Sequence, residues 1–404
     1  MKVLHTSDWH LGHTLYNYDR SAEQQAFLHQ LADIVREEQP DVMVVSGDVY
    51  HYSNPAAATQ KMYTEGMLEV HRACPEMCMV VTAGNHDSSS KLEIDSSLWH
   101  HFGVKVVGGI ERTQEEINLD KHLVEIKDRE GQLKGYVIAV PHVYPQNFPA
   151  LDTETPREER QARFFQALLD RVERMNDEKL PVVLMAHLAI SGSDRTGHDE
   201  TVGGIEFVPL STLGKGYDYL ALGHIHCPQD IKDTHHRARY CGTPLPISFD
   251  ETYPHSVSIV ELTGHDEPFI RTRDITNPMP LITLPREPQP FEKVLKQLAE
   301  LPDDQLGYIR LNVLVEDYLE PGSNERASNA LQGKACKYCC IKPVRRMQRT
   351  DVDRPHLSIQ EMQQISPLEV ARLYFRETEG KEMDDELCEL ISIALQRVNE
   401  RKQL

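Results

Sequence analysis

Five short, mostly apolar runs, at residues 2–6, 42–46, 79–83, 182–186 and 219–222, each give way at once to a polar segment: SDWHLG, GDVYH, GNHD, HLAISG and GHIH. A run of four to six apolar residues bounded by Gly, Asn and Asp reads as a buried strand. Amphipathic stretches between such strands make the unit layered α/β structure. Residues 22–38, 55–71 and 156–177 supply those stretches, the last with Phe164, Leu168 and Val172 four residues apart. Ligands of open α/β sheets collect outside the carboxyl ends of the strands, so the five polar loops are expected to converge on one site. Residues 240–249, YCGTPLPISF, are punctuated by Gly and Pro and lead into an alternating strand at 256–262, expected to close a sandwich.

From about Asn277 the pattern changes. A strand is expected at 282–284, and Phe291, Val294, Leu295, Leu298 and Leu301 have helical spacing. Ile309, Leu311, Val313 and Val315 alternate as in a half-buried strand. With a helix near Asn324 and a last strand at 339–344, this is a compact βαβαβ unit. After Arg349 the chain turns polar, and Ser366-Pro-Leu-Glu369 then forms a capping box with Pro at the first helical position. Gly380 ends that helix, and Asp384 opens another whose Leu387, Leu390, Ile391, Ala394, Leu395 and Val398 make one apolar face. The expected division is a large α/β domain at 1–275, a small domain at 276–350, and a linker with a helical tail at 351–404. Such a tail either folds back on its own chain or docks on another protein.

The formal net charge of −20 is the wrong sign for unaided nucleic-acid binding, which needs clustered Lys and Arg. One basic stretch stands out: Lys334, Lys337, Lys342, Arg345, Arg346 and Arg349 share a segment without acidic residues. It reads equally as a contact surface for phosphates or as a solvated strand and loop. The N-terminal MKVLHTSDWHLG lacks the apolar core of a signal peptide, and no run approaches membrane-spanning length, so a cytoplasmic protein is expected. Eight cysteines scattered over 404 residues read as reduced thiols. Cys336, Cys339 and Cys340 lack the second ligand pair that a structural zinc site requires.

The loops offer Asp8 and His10, Asp48 and His51, Asn85, His86 and Asp87, His187, and His224 and His226. Carboxylate, imidazole and amide oxygen together suit Mn, Fe or Zn better than Mg or Ca alone. In an extended loop, residues i and i+2 point to one side, so the D-x-H and H-x-H pairs can each serve one ion. Each motif alone is common. Their fixed order at five successive strand ends is not.

The series DxH, GDxxH, GNHD, GH and GHxH resembles the calcineurin-like metallophosphoesterase superfamily. Within it, HTSDWHLGHTLY, VVSGDVYH, TAGNHD, and ALGHIH followed by YCGTPLPISFDE resemble the SbcD family of exonuclease subunits and the related double-strand-break repair nucleases. The resemblance extends over nearly the whole chain. It implies a β-sandwich flanked by helices, a small capping domain and a helical tail. It assigns Asp8, His10, Asp48 and His226 to one divalent ion, and Asp48, Asn85, His187 and His224 to a second, with Asp48 bridging and manganese as the metal. His86 matches a residue that helps the departing 3′ oxygen leave, and His51 a second non-ligand histidine facing the phosphate, although many bacterial relatives carry Asp there. Asp87 is left to orient His86 or its loop. The implied partners are DNA ends and hairpins and an SbcC-like coiled-coil ATPase, with a homodimer inside a heterotetramer and no membrane. The implied activity is ATP-dependent 3′ to 5′ degradation of double strands, hairpin opening and single-strand cutting. A stand-alone phosphatase or cyclic-nucleotide phosphodiesterase of the same fold would not need the capping domain and tail. A non-catalytic adaptor would have lost ligands that are all present. His13, His101, His142, His198, His235 and His236 are left with surface or structural roles, His13 being nearest the site in sequence.

Overall fold

The computed structural model describes residues 1–345 apart from 113–116, 153, 198–206, 233, 265 and 317, together with six positions of the tail. Two six-stranded sheets form its centre. The first runs β14 (Phe269–Asp274), β13 (Ser256–Glu261), β1 (Lys2–Thr6), β2 (Val42–Ser46), β3 (Cys78–Thr82), β4 (Val104–Val107). The second runs β11 (Gln229–Asp230), β12 (Ala238–Tyr240), β10 (Tyr219–Gly223), β7 (Val182–His187), β6 (Leu133–Ala139), β5 (Leu123–Lys127). A two-stranded pair, β8 (Ala189–Ile190) with β9 (Phe207–Val208), follows β7.

Strands β1, β2, β3, β7 and β10 are buried on both faces, which is why they read as continuous apolar runs. Val42 and Val44 point between the sheets and meet Val183, Met185 and Ala221 of the second sheet. Met43 and Val45 point outward to helices α1 (Ser21–Glu38) and α2 (Ala57–Ala73), against Phe27, Leu31 and Met67. On the far side, α5 (Arg160–Met175) covers the second sheet with Phe164, Leu168 and Val172, the spacing read from the sequence. The result is helix, sheet, sheet, helix. Short helices α3 (Ser89–Leu92) and α4 (Ser96–Trp99) connect β3 to β4.

Strands β1 to β4 are parallel, and so are β6, β7, β10 and β12. Their carboxyl ends meet across the sandwich, where Ser46 Oγ donates to the Ala221 carbonyl at 3.0 Å. The stretch expected to close the sandwich only begins in a strand. Tyr240 ends β12, and the residues after it form a loop whose Thr243, Pro246 and Phe249 reach the site region before β13 pairs with β1. The helix expected from 156 begins as a 3₁₀ turn at Arg157–Glu159, because Pro156 is extended (ψ 151°).

The smaller sheet orders β15 (Leu281–Pro290), β16 (Tyr308–Val315) and β17 (Lys337–Arg345). Helices α6 (Phe291–Ala299) and α7 (Ser323–Ala330) lie between them in sequence, giving the βαβαβ order. Val294, Leu298, Ile309, Leu311, Val313 and Ala327 form a core of their own. Tyr308 Oη nevertheless donates to Glu23 of α1 at 2.6 Å, and Tyr18 Oη to the Tyr338 carbonyl at 2.9 Å. Residues Met1–Val344 therefore form one compact unit and Arg345–Leu404 a second. In the tail, Arg372, Phe375, Leu387, Cys388 and Leu390 are helical. The capping box at Ser366 and the rest of the apolar stripe lie outside the described residues.

None of the eight cysteines is in a disulfide. Cys336 packs in the small core, whereas Cys339 packs with Leu15, Phe249 and Tyr308, so they do not face one ion. The lysines of the basic stretch are tied down. Lys334 binds Asp303 at 2.8 Å, Lys337 lies over the rings of Tyr18 and Tyr308, and Lys342 reaches Asp250 at 3.5 Å. Arg346 and Arg349 lie outside the described residues. No helix among the described residues is long and apolar enough to cross a membrane.

Candidate metal centre

The loops leaving β1 and β2 run side by side. Asp8 N–H donates to the Gly47 carbonyl, His10 N–H to that of Asp48 and Leu11 N–H to that of Val49, at 3.0, 3.0 and 2.9 Å. Asp8, His10, Asp48 and His224 all have positive φ (52°, 47°, 50° and 97°). Each such residue costs about 1–2 kcal/mol relative to an ordinary backbone. Four of them at strand ends, held by cross-loop hydrogen bonds, mark a place where side-chain aim outranks local stability.

The aim is inward. Asp8, His10, Asp48, His187 and His226 are buried, and Asn85 and His224 half-buried. His10 Nε2 and His226 Nε2 lie 3.3 Å apart and, with an Asp8 oxygen, form one group of donors within 4.8 Å of one another. Asp8, Asp48 and His187 form another. Asn85 Oδ1 is 2.9 Å from both His187 Nε2 and His224 Nδ1. Asp48 Oδ2 lies between the groups, 3.8 Å from His10 Nε2 and 3.4 Å from His187 Nε2. Two ligands about 2.1 Å from a common ion at 90–120° to each other stand about 3.0–3.6 Å apart, so these separations fit a two-metal centre. The seven expected ligands are thus brought together.

The imidazoles are aimed from behind. His187 Nδ1 donates to the Ser46 carbonyl at 2.8 Å, and His226 Nδ1 to Glu251 Oε1 at 3.2 Å, leaving each Nε2 lone pair inward. Glu251 is buried and also accepts from Thr243 Oγ1 at 2.8 Å. It ends the YCGTPLPISFDE block, but nothing in its spacing ties it to a histidine 25 residues earlier. Asp87 accepts from the backbone N–H groups of Gly84, Val49 and Tyr50 at 2.9, 3.1 and 2.9 Å, locking the GNHD loop to the GDVYH loop. Burial and the nearby Asp48 raise its pKa to about 6. Gly84 is required by contact: a Cβ there would stand 2.1 Å from Asp48 Oδ1.

The electrostatics ask for cations. Burial opposes charge on His187, yet Asp48, Asp8 and the Ser46 carbonyl raise its pKa to about 9. Burial would likewise raise Asp48, but His187 and His10 hold it well below the carboxylate range. Without metal, a proton on imidazole balances the buried carboxylates.

Above the ligands, His51 and His86 stack with ring centroids 5.3 Å apart, and His86 Nδ1 donates to the His51 carbonyl at 2.8 Å. Burial and His86 push His51 down to about 4. Both line a cavity of about 840 Å³, which Arg310 of the small sheet also lines. His13 also lines it. His142 is closer than its sequence distance suggests: its Nδ1 donates to the His187 carbonyl at 3.1 Å and its ring lies nearly parallel to His224. His235 and His236 lie at a remote turn where His236 meets Asp230, and His198 is outside the described residues.

Residues 1–228 match the calcineurin-like phosphoesterase family, and residues 277–379 the type 5 capsule protein repressor C-terminal domain. The chain is 34% identical over 311 residues to the SbcD component of the SbcCD nuclease from Rhodobacter capsulatus, covering 74% of this chain and 76% of that protein. It is 30% identical over 399 residues to the Bacillus subtilis counterpart, covering 96% of each. Against the Escherichia coli K12 counterpart it is 26% identical over 397 residues, covering 95% of this chain and 94% of that one. With donor groups that fit two metals gathered at its strand ends, the chain belongs to the calcineurin-like phosphoesterases and, within these hydrolases, to the SbcD family of nuclease subunits.

Proposed function

We propose that the chain is the nuclease subunit of an SbcCD-type complex and hydrolyses DNA phosphodiesters in the cytoplasm. The observation that carries this is Asp48, whose Oδ2 faces both donor groups at the floor of the cavity. Asp8, His10, Asp48 and His226 would hold one ion, and Asp48, Asn85, His187 and His224 the other, with manganese as the metal. When bound, two such ions polarise the phosphodiester and supply a nucleophilic water near neutral pH.

The chain's own groups do the rest. Ser46 and Glu251 hold the ligand imidazoles in one tautomer. Asp87 fixes the two loops that carry Asp48 and Asn85 relative to each other. His51 faces the phosphate, and His86 gives a proton to the departing 3′ oxygen, general-acid work to which an imidazole is suited. The small domain at 276–350 caps the cavity, and the tail from 351 docks on a coiled-coil ATPase. An acidic subunit is compatible with this, since the partner can hold the DNA. ATP-dependent 3′ to 5′ degradation, hairpin opening, single-strand cutting and a dimer within a heterotetramer belong to the same reading.

The test is substrate choice. The purified full chain, with manganese, is expected to cut hairpin or plasmid DNA far better than p-nitrophenyl phosphate or a cyclic nucleotide. The reverse preference would establish a stand-alone phosphatase or phosphodiesterase instead.

A further inference from the structure

One histidine on the cavity wall is used neither as a ligand nor as an acid. His13 closes the turn after His10, its N–H donating to the His10 carbonyl at 2.9 Å. Its ring packs edge-on against His51, with centroids 4.7 Å apart. Behind it stands Arg20, whose side chain is 1% exposed. Arg20 Nη1 donates to the Pro246 carbonyl at 2.6 Å and lies 3.5 Å from His13 Nδ1.

That approach fixes the state of the ring. A guanidinium has only donors and keeps its charge. The face of an imidazole that tolerates it is the lone-pair nitrogen, so Nδ1 is the acceptor and the hydrogen sits on Nε2. His13 therefore shows the cavity a neutral N–H.

Arg20 is a costly way to achieve this, since its Nε and Nη2 make no hydrogen bond among the described residues and its charge is met only by Glu23, whose Oε1 lies 3.9 Å from Nε. Its place is set from the small domain. Tyr308 of β16 donates to Glu23, and the guanidinium lies 5.8 Å from the Tyr308 ring centre.

We propose that His13 contacts substrate, its Nε2–H donating to a non-bridging oxygen of a backbone phosphodiester in the cavity, and that Arg20 is the positioning residue that holds it in the donating tautomer. This deepens the nuclease reading and rests on it. The seat of the small domain on α1 then governs the hydrogen-bonding face shown to DNA. Because the donor is uncharged, it adds direction without adding to the counterion-driven part of binding.

The experiment compares the full-length wild type with His13→Phe, which keeps a ring without nitrogens, and His13→Gln, which keeps an N–H donor. Single-turnover cleavage is measured with manganese on a hairpin DNA and on copies carrying one methylphosphonate at each position around the cut. Bound manganese is measured on each variant, and the salt dependence of DNA binding is measured without metal. His13→Phe is expected to keep its manganese and lose about tenfold to a hundredfold in cleavage, the worth of a hydrogen bond to a charged group. His13→Gln is expected to recover most of that. The penalty should vanish on the one DNA whose contacted phosphate is methylated, with an unchanged salt slope. Wild-type cleavage by His13→Phe, a loss that follows lost manganese, no recovery by His13→Gln, a salt slope reduced by about one, or an equal penalty on every methylphosphonate would each overturn the proposal. Failure of the wild type itself to cut DNA would overturn the nuclease reading instead.

Discussion

Asp48 is 2% exposed, and its carboxylate receives the His86 N–H at 2.8 Å while facing both donor groups. Asp48→Asn keeps the shape and removes the charge. It is expected to abolish cleavage and lower bound manganese while leaving the circular dichroism of the fold intact. Near-wild-type cutting would sink the two-metal assignment. His86 is the opposite case, next to Asn85 yet bonded to a backbone carbonyl. His86→Ala should keep both ions and DNA binding and lose about a hundredfold to ten-thousandfold in single-turnover rate, the usual scale of acid–base catalysis. Metal lost in step with activity would make it a ligand. The contrast shows what single residues reveal in sequence. Asp8 and His10, or His224 and His226, announce themselves because partners sit two residues apart. Glu251 and His142 do not, because their contacts cross 25 and 45 residues and depend on how β7, β10 and the loop after β12 are stacked.

Among the elements, β1 and β2 have the bounds expected, and β3, β7 and β10 lie within a residue of theirs, since burial on both faces leaves an unbroken apolar signal that a polar loop cuts off. Strands β5 and β14 escape the sequence pattern because they carry a half-exposed, charge-interrupted signal, LVEIK and FIRTRD, whereas β6, LKGYVIA, is buried from Gly135 to Ala139 and is masked only by the Lys and Gly that open it. Edge position explains β5 and β14. The loops are more exacting than the strands. At Gly84, where β3 runs into the GNHD turn, a methyl group would stand 2.1 Å from Asp48 Oδ1 and 2.3 Å from its backbone nitrogen. Neither can yield, one being a ligand and the other backbone at φ 50°. Gly84→Ala is therefore expected to cost about 1–3 kcal/mol in thermal stability, as overpacking does, and to lower manganese affinity with it. An unchanged melting temperature together with full activity would show that the loop is not tight.

For the molecule as a whole, the buried centre couples stability to pH and metal, and the two flanks have opposite signs. His187 has its pKa raised to about 9 in the folded chain, and that of His226 is also raised, against 6.5 when unfolded. A raised pKa means stability that is fully present below pH 6.5 and lost as pH climbs through about 9. His51 and His142 are pushed down to about 4, mainly by burial, so their contribution runs the other way, present above pH 6.5 and lost as pH falls toward 4. Metal-free protein should thus be most stable near pH 6.5. From there to pH 9 it should lose on the order of 3 kcal/mol through His187 alone. Metal reverses the upper flank, because bound ions take the place of the imidazole proton and their binding releases it. Loaded with manganese, the chain should hold its melting temperature from pH 6.5 to 9, so that the gap between loaded and chelator-treated protein widens as pH rises. Calorimetry in buffers of different ionisation enthalpy should also register proton release on manganese binding below pH 9. A chelated protein whose melting temperature stays flat across that window would mean that His187 carries no proton, and that something other than charge balance holds Asp8 and Asp48 together.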